Sequence, residues 1–241
     1  MLVDAHVHCL DLEEVESYAL SGKYELICVI DELLCADKIF KLSEQYQNVE
    51  PCIGIHPWLA HEHYSREVSH SLGELIENYP IKCLGEVGLD KKFKPDTLEK
   101  QLEIFNVFVE YAKEYDLVLN LHAAGAWIEV FETIYKRDIN RAYFHWYTGP
   151  IELLYQIESV GYYIGINPAW KVQQKHRNII EEVDINRVLT ESDAPYRYRG
   201  LLMTPDLIKD TVEYISEVKE LDLNTVEKII YTNFKTLFKK P

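Results

Sequence analysis

Seven residues with metal-binding or acid–base side chains follow short apolar runs along the chain. They are His6, His8, His56, Glu86, His122, His145 and Asp193. Nitrogen and oxygen donors without thiolate suit Zn²⁺, Mn²⁺ or Mg²⁺. Two such ions about 4 Å apart can stabilise both the attacking and the leaving oxygen when water cleaves an ester. The donor set therefore indicates metal-assisted hydrolysis.

Four of these residues have spacing or chemistry that suggests a particular role. His6 and His8 are two positions apart, so in a strand both point to the same face and can bind one ion. Glu86 can bridge two ions with its two carboxylate oxygens. Asp193 can accept a proton from the attacking water and pass it on, which is general acid–base catalysis. We predict that Glu86 and Asp193 are the catalytic residues.

Eight β-rich runs alternate with helical stretches and would position these side chains. Several runs, such as LICVI and LVLNL, are almost continuously apolar, which is typical of strands buried on both faces. The pattern predicts one domain over 1–241, a (β/α)8 barrel of the TIM type, slightly short or distorted, with extra C-terminal helices at 204–220 and 223–239. An open doubly wound sheet is the alternative. The predicted strands are 2–7, 24–30, 49–55, 81–85, 117–121, 141–144, 162–166 and 187–190.

The barrel prediction also accounts for where the chemical residues fall. In this fold the catalytic residues lie at the carboxyl ends of the strands. Each of the seven residues lies at or just after the end of a predicted strand. We therefore expect all seven to converge on one mouth of the barrel.

Seven short motifs occur in an order that spans nearly the whole chain. With them, the sequence resembles the TatD-like metal-dependent deoxyribonucleases, a branch of the amidohydrolase superfamily. Each motif alone is weak, but the ordered set is highly specific. The motifs are DAHVH at 4–8, GIHPW at 54–58, GEVGLD at 85–90, NLHAAGA at 120–126, HWYTG at 145–149, ESDAP at 191–195 and TNFKTLF at 232–238.

The resemblance implies a role for each candidate residue. One ion would be held by His6, His8 and Asp193, the other by His122 and His145, with Glu86 as the bridge. His56 would contact a substrate phosphate, and Glu191 would support the ligands near Asp193. The implied activity is a 3′ to 5′ exonuclease on single-stranded DNA ends. A small phosphate ester, an amide or a lactone remains an alternative substrate. A nuclease subunit of a multi-protein system, or a non-catalytic partner that keeps the metal site, is a further alternative.

The predicted substrate rim differs from the family pattern. Ala124 occupies a position where the family usually has arginine, and Trp146 replaces a small side chain. Basic and aromatic residues in the loops after the strands could instead bind phosphates and unpaired bases. The candidates for these roles are Trp58, Lys91, Lys92, Lys94, Trp146, Tyr147, Trp170, Lys171, Lys175, Arg177, Arg197 and Arg199.

Composition limits the partners and the compartment. The net charge of −15 argues against non-specific binding of duplex DNA through a basic surface. No run of about 18 apolar residues is present, so we expect no membrane span. The first residues lack the features of a signal peptide, which favours the cytoplasm. We accordingly expect the five cysteines, Cys9, Cys28, Cys35, Cys52 and Cys83, to be reduced.

Overall fold

Eight parallel strands form one sheet in which they follow each other in chain order. The computed structural model describes residues 1–238. Each strand pairs in parallel with the next, as expected when a helix returns the chain after every strand. The strands are β1 Leu2–Val7, β2 Tyr24–Val29, β3 Val49–Ile53, β4 Cys83–Gly88, β5 Val118–His122, β6 Ala142–Phe144, β7 Tyr163–Ile166 and β8 Val188–Thr190.

Helices follow the strands, and a short hairpin follows β8. The longest helix, Leu98–Tyr115, buries Phe105, Phe108 and Ala112 at helical spacing. The hairpin consists of β9 Arg197–Tyr198 and β10 Leu201–Leu202. The α-helices are α1 Val15–Leu20, α2 Ala36–Gln45, α3 Ser65–Asn78, α4 Leu98–Tyr115, α5 Trp127–Tyr135, α6 Ile151–Ser159, α7 Gln174–Glu182, α8 Leu207–Lys219 and α9 Leu223–Phe238.

The first and last strands of the sheet meet at a junction that we call the seam. At the seam the Asp193 amide donates to the His6 carbonyl over 2.9 Å, and the His8 amide donates to the Ala194 carbonyl over 2.9 Å. The Thr190 hydroxyl also donates to the Val3 carbonyl over 2.6 Å. Loop and side-chain hydrogen bonds thus bring β8 against β1. The predicted barrel with extra C-terminal helices is confirmed, and the open doubly wound sheet is wrong.

Four of the five cysteines form disulfide bonds, so the prediction that all are reduced is wrong. Cys9 is bonded to Cys28, and Cys52 is bonded to Cys83. The physical reason is strand register: Cys52 and Cys83 are direct partners on β3 and β4, with Cα atoms 4.5 Å apart. That separation lies within the normal range for a disulfide. Cys35 remains a free thiol.

The described helices also test the membrane prediction. Within residues 1–238, no helix is long and apolar enough to cross a membrane. Residue 239, the last of the final predicted helix, lies outside the described residues.

Candidate metal centre

All seven candidate residues lie at one mouth of the barrel. His6 and Glu86 lie within β1 and β4, while His122 is the last residue of β5. The other candidates follow their strands in loops. His6, Glu86, His145 and Asp193 are buried, and their exposed fractions are at most 6%. Strand ends that meet at one edge therefore gather residues that are far apart in the sequence.

Glu86 lies between two groups of histidines. Its Oε2 atom is 3.3 Å from His6 Nε2 and 3.7 Å from His8 Nε2. Its Oε1 atom is 2.6 Å from His122 Nδ1 and 3.7 Å from His56 Nε2. Burial opposes ionisation of Glu86, but the nearby imidazoles hold its pKa well below the usual range. An ionised carboxylate with one oxygen toward each group has the geometry of a bridging ligand.

The first group contains His6, His8 and Asp193. Asp193 Oδ1 lies 3.6 Å from His6 Nε2 and 3.4 Å from His8 Nε2, and the two Nε2 atoms are 3.4 Å apart. These three ligand atoms are close enough to hold one ion. Asp193 has a backbone φ of 54°, in the left-handed region, so the chain turns sharply at this candidate ligand.

Asn120 fixes the orientation of the His6 ring. Its amide nitrogen donates to the Ala5 carbonyl over 3.1 Å, so its oxygen accepts from His6 Nδ1 over 3.0 Å. This places the proton on Nδ1 and leaves the Nε2 lone pair facing Glu86. Metal-binding histidines are usually held by such an outer hydrogen bond. Asn120 lies in the NLHAAGA motif, but nothing in the sequence shows that it contacts His6.

Asp90 holds the His122 ring in the same way. Asp90 Oδ2 accepts from His122 Nε2 over 3.0 Å and from Trp58 Nε1 over 2.6 Å. The other ring nitrogen, His122 Nδ1, therefore faces Glu86 Oε1 over 2.6 Å. Burial would lower the pKa of His122, but hydrogen bonds to Asp90 and Glu86 raise it to about 9. Asp90 was also quoted within a motif without a role, since a strand-end carboxylate gives no sign of which ring it holds.

Glu191 supports His145 and the end of β6. Its Oε2 atom lies 3.1 Å from His145 Nδ1, an ion-pair contact, and its Oε1 atom accepts from the Trp146 amide over 2.8 Å. A Cβ at Gly165 would lie 2.5 Å from Glu191 Oε2, so only glycine leaves room for this carboxylate. These contacts give Glu191 a position that agrees with the predicted supporting role.

His56 has a different hydrogen-bonding pattern from the other histidines. The Trp58 amide donates to His56 Nδ1 over 3.2 Å, and burial lowers the pKa of His56 to about 4. A neutral ring that accepts at Nδ1 carries its proton on Nε2. Nε2 then donates a hydrogen bond and has no lone pair for a metal ion. This arrangement favours a substrate contact, although His56 lies close enough to Glu86 and His122 to complete a group of ligands.

His122 and His145 lie on different sides of Glu86. In the described part of the chain, His145 forms a group with His6 and Glu86, whereas His122 forms one with His56 and Glu86. The His145 ring stacks on the His6 ring with centroids 3.7 Å apart. The structure therefore does not bring His122 and His145 together in one group of candidate ligands, as the predicted pairing on one ion would require.

The donor set fits divalent metal ions. It consists of imidazole nitrogens and carboxylate oxygens, which Zn²⁺ and Mn²⁺ accept, and most of its rings are held by outer carboxylates or amides. His8 has the weakest outer partner, since its Nδ1 lies 3.5 Å from Asp31, whose side chain is 42% exposed.

A cavity of about 420 Å³ opens above these ligands. His8, His56, His122, His145 and Asp193 line its floor, and aromatic residues line its sides. Trp58, a predicted substrate contact, is among the lining residues. The size is at the lower end of the range of small-molecule pockets, about 300–1,000 Å³. The cavity therefore suits one small ligand or one terminal unit of a polymer.

The basic residues predicted for the substrate rim are distributed differently from the prediction. Among the described residues that line the cavity, the lysines are Lys92 and Lys175. Lys91 instead pairs with Glu129. Arg197 is exposed on β9, and Arg199 donates to the Val172 carbonyl over 3.2 Å. The sequence identified the loops correctly but could not show which side chains turn toward the cavity.

A parallel barrel with imidazole and carboxylate ligands at its carboxyl-terminal mouth defines a metal-dependent hydrolase. Such a site supplies metal ligands, an acid–base carboxylate and a cavity for substrate. The comparisons with known proteins agree with this class and specify the family.

The chain belongs to the TatD related DNase family, whose profile matches residues 3–239. It is 28% identical to an uncharacterized metal-dependent hydrolase of Methanocaldococcus jannaschii, covering 99% of this chain and 97% of that protein. It is 26% identical to the human deoxyribonuclease TATDN3, covering 99% and 95%. The crystal structure of YjjV, a TatD homologue from Escherichia coli K12, superposes with a TM-score of 0.88 at 23% identity, covering 100% of this chain and 98% of that one. This chain is thus a metal-dependent hydrolase that acts on ester bonds.

Proposed function

We propose that this hydrolase removes nucleotides from the 3′ ends of single-stranded DNA, with two divalent metal ions bound. The observation that carries the proposal is Glu86, whose two oxygens face two separate groups of ligands at the floor of a small cavity. A human relative named as a deoxyribonuclease supports DNA as the substrate. The 3′ to 5′ direction rests on the family resemblance alone.

The proposed ligands are those predicted from the sequence, arranged as the geometry favours. His6, His8 and Asp193 would hold one ion, and His122 would hold the other, with Glu86 between them. His145 is closer to the first group, with its Nε2 atom 3.9 Å from Asp193 Oδ1. When bound, the ions would activate water and neutralise charge on the phosphate.

The protein residues around the ions would perform the remaining steps. Asp193 accepts the proton of the attacking water and returns one to the leaving oxygen. His56 donates from Nε2 to a phosphate oxygen, because its Nδ1 is already an acceptor. Lys92 and Lys175 bring positive charge to the cavity in a chain whose net charge is −15. They give a polyanion a local reason to bind.

A small phosphate ester remains the second candidate substrate. The cavity volume of about 420 Å³ and the absence of the usual arginine at Ala124 both favour it. Such an ester would need the metal ions and His56 but not the lysines. We keep the cytoplasm as the proposed location, and no protein partner is assigned.

The deciding experiment uses protein stripped with chelator and reloaded with Mg²⁺, Mn²⁺ or Zn²⁺. A 5′-labelled single-stranded oligonucleotide should give a ladder that shortens from the 3′ end, and Glu86→Gln should abolish it and lose affinity for both ions. Turnover of a small chromogenic phosphodiester without any ladder would favour the second candidate. Failure with both substrates across all three metals would favour a non-catalytic role.

A further inference from the structure

Trp146 forms part of the cavity wall directly beside the metal centre. It follows His145, lines the cavity and has a backbone φ of 41°, in the left-handed region that few bulky residues adopt. Its amide donates to Glu191, the carboxylate that also contacts His145. The bulky Trp146 ring therefore occupies the position next to His145, a proposed metal ligand. The family pattern has a small side chain at this position.

Two tyrosines and a glutamine hold the Trp146 ring in place. Tyr196 and Tyr198 pack edge to face against it, with centroids 5.9 and 5.0 Å away. Trp146 Nε1 donates to Gln173 Oε1 over 2.9 Å. We call Trp146, Tyr196 and Tyr198 the aromatic wall. Because the one indole donor is already used, the ring offers a ligand only its apolar surface.

A second aromatic pair, Trp58 and Phe93, lines the same cavity. Their centroids are 5.9 Å apart, and Trp58 Nε1 is likewise occupied by Asp90. Lys92 lies over the Phe93 ring at 4.7 Å. The cavity thus combines a metal-bearing floor with apolar ring surfaces and two lysines. This combination suits a phosphate ester that carries a planar ring.

We propose that Trp146 stacks on the base of the terminal nucleotide and is the specificity-determining residue of this site. The inference rests on the proposed function and narrows it to phosphodiesters whose terminal unit bears a nucleobase. Stacking on an aromatic ring tolerates any base, because every base has a π-face. The indole N–H groups of Trp146 and Trp58 already donate to Gln173 and Asp90. We therefore expect the enzyme to show little preference among the four bases.

The test compares two single-stranded oligonucleotides that differ only at the 3′ terminus, which is thymidine or an abasic tetrahydrofuran unit. The value of kcat/KM is measured for both with Mn²⁺-loaded protein. Wild-type protein should prefer the thymidine end by about 5- to 150-fold, the preference expected from stacking of one base. Trp146→Ala should reduce the preference to less than about threefold, and Trp146→Phe should keep most of it.

Tyr155→Ala is the matched control, since Tyr155 is an exposed aromatic residue on α6 away from the cavity. It should keep the wild-type preference. Metal content and the melting temperature are measured for each variant, so that loss of ligands or of the fold is recognised. The proposal would be overturned if the wild-type protein showed no preference for the thymidine end over the abasic end. It would also be overturned if wild type, Trp146→Phe and Trp146→Ala all showed the same preference.

A binding experiment separates this proposal from the proposed nuclease activity. If no oligonucleotide is cleaved, the nuclease proposal fails, but stacking can still be measured with thymidine monophosphate and 2-deoxyribose 5-phosphate. Calorimetric titration of each into metal-loaded protein should show at least about fivefold tighter binding of the base-bearing ligand, and Trp146→Ala should remove the difference. Equal affinities in wild type would refute base stacking whatever the activity.

Discussion

Replacing Asp90 by asparagine tests how strongly the metal centre depends on the residue that orients His122. Asp90 is fully buried, and Oδ1 accepts from the backbone amides of Lys92 and Phe93 over 2.9 and 2.7 Å. Oδ2 accepts from His122 and Trp58. An asparagine has only one acceptor oxygen. If this oxygen keeps the hydrogen bonds from the two backbone amides, the NH₂ group of the asparagine faces the N–H groups of His122 and Trp58. Donors then face donors.

The expected response is a change in the His122 tautomer. Its Nε2 would accept from the new amide, and the proton would move to Nδ1, which faces Glu86 at 2.6 Å in the native protein. The ring would then present no lone pair to the ion. Loss of an outer partner typically costs 10- to 100-fold in metal affinity, or about 1.4 to 2.7 kcal/mol. We expect Asp90→Asn to lose affinity in this range for one of the two ions.

Competition with a chromogenic chelator measures the two affinities separately. Asp31→Asn is the matched control, because the His8 contact is 3.5 Å and the Asp31 side chain is 42% exposed, so that water can replace the carboxylate. Its effect should stay below about tenfold, the lower limit for a buried outer partner. If Asp90→Asn bound both ions like wild type while folding normally, Asp90 would not orient a ligand and this reasoning would be refuted.

Three further perturbations test the remaining roles. Asp193→Asn should stay slow by roughly 100-fold or more at saturating metal, because the proton acceptor is missing; full rescue by added metal would leave Asp193 as a ligand only. Replacing both Lys92 and Lys175 by alanine should raise KM for an oligonucleotide and flatten its salt dependence, whereas the same change in the arginines of the β9–β10 hairpin should have little effect; the reverse pattern, seen in salt-dependent kinetics, would restore the hairpin as the phosphate rim. Metal affinity should rise from pH 6.5 toward 8.5, since His122 with a pKa of about 9 must lose its proton to bind metal, and chelator titrations that are flat over this range would contradict that protonation state.

The barrel and most of the candidate ligands could be predicted from the sequence because they follow simple periodic rules. Apolar runs mark the strands, and His6 and His122 lie where a parallel barrel places its chemistry. The sequence does not mark the start of α3 at Ser65, since the segment from 65 to 70 has few apolar residues. The helix α7 is hard to recognise for the same reason, since Ile179 and Ile180 are its apolar residues.

The parts that the sequence did not predict depend on distances across the barrel. Which ring Asp90 or Asn120 holds follows from the packing of one strand end against another. The disulfide between Cys52 and Cys83 follows from the register of β3 and β4. Lys91 and Lys92 are adjacent in the chain but point in different directions. Lys91 pairs with Glu129, whereas Lys92 lines the cavity. None of these relations leaves a local pattern.

The seam has a consequence for the biosynthesis of the active protein. His6 and His8 lie in and just after β1, whereas Asp193 follows β8, and Thr190 lies 187 positions from its seam partner Val3. A chain still emerging from the ribosome therefore has histidines but no complete ligand set. Binding of an ion by the proposed set of His6, His8 and Asp193 would therefore require that β8 has been made and has reached β1. An ion held by His6, His8 and Asp193 would in turn join β1 to the loop after β8, so that its removal by a chelator should loosen both strands together.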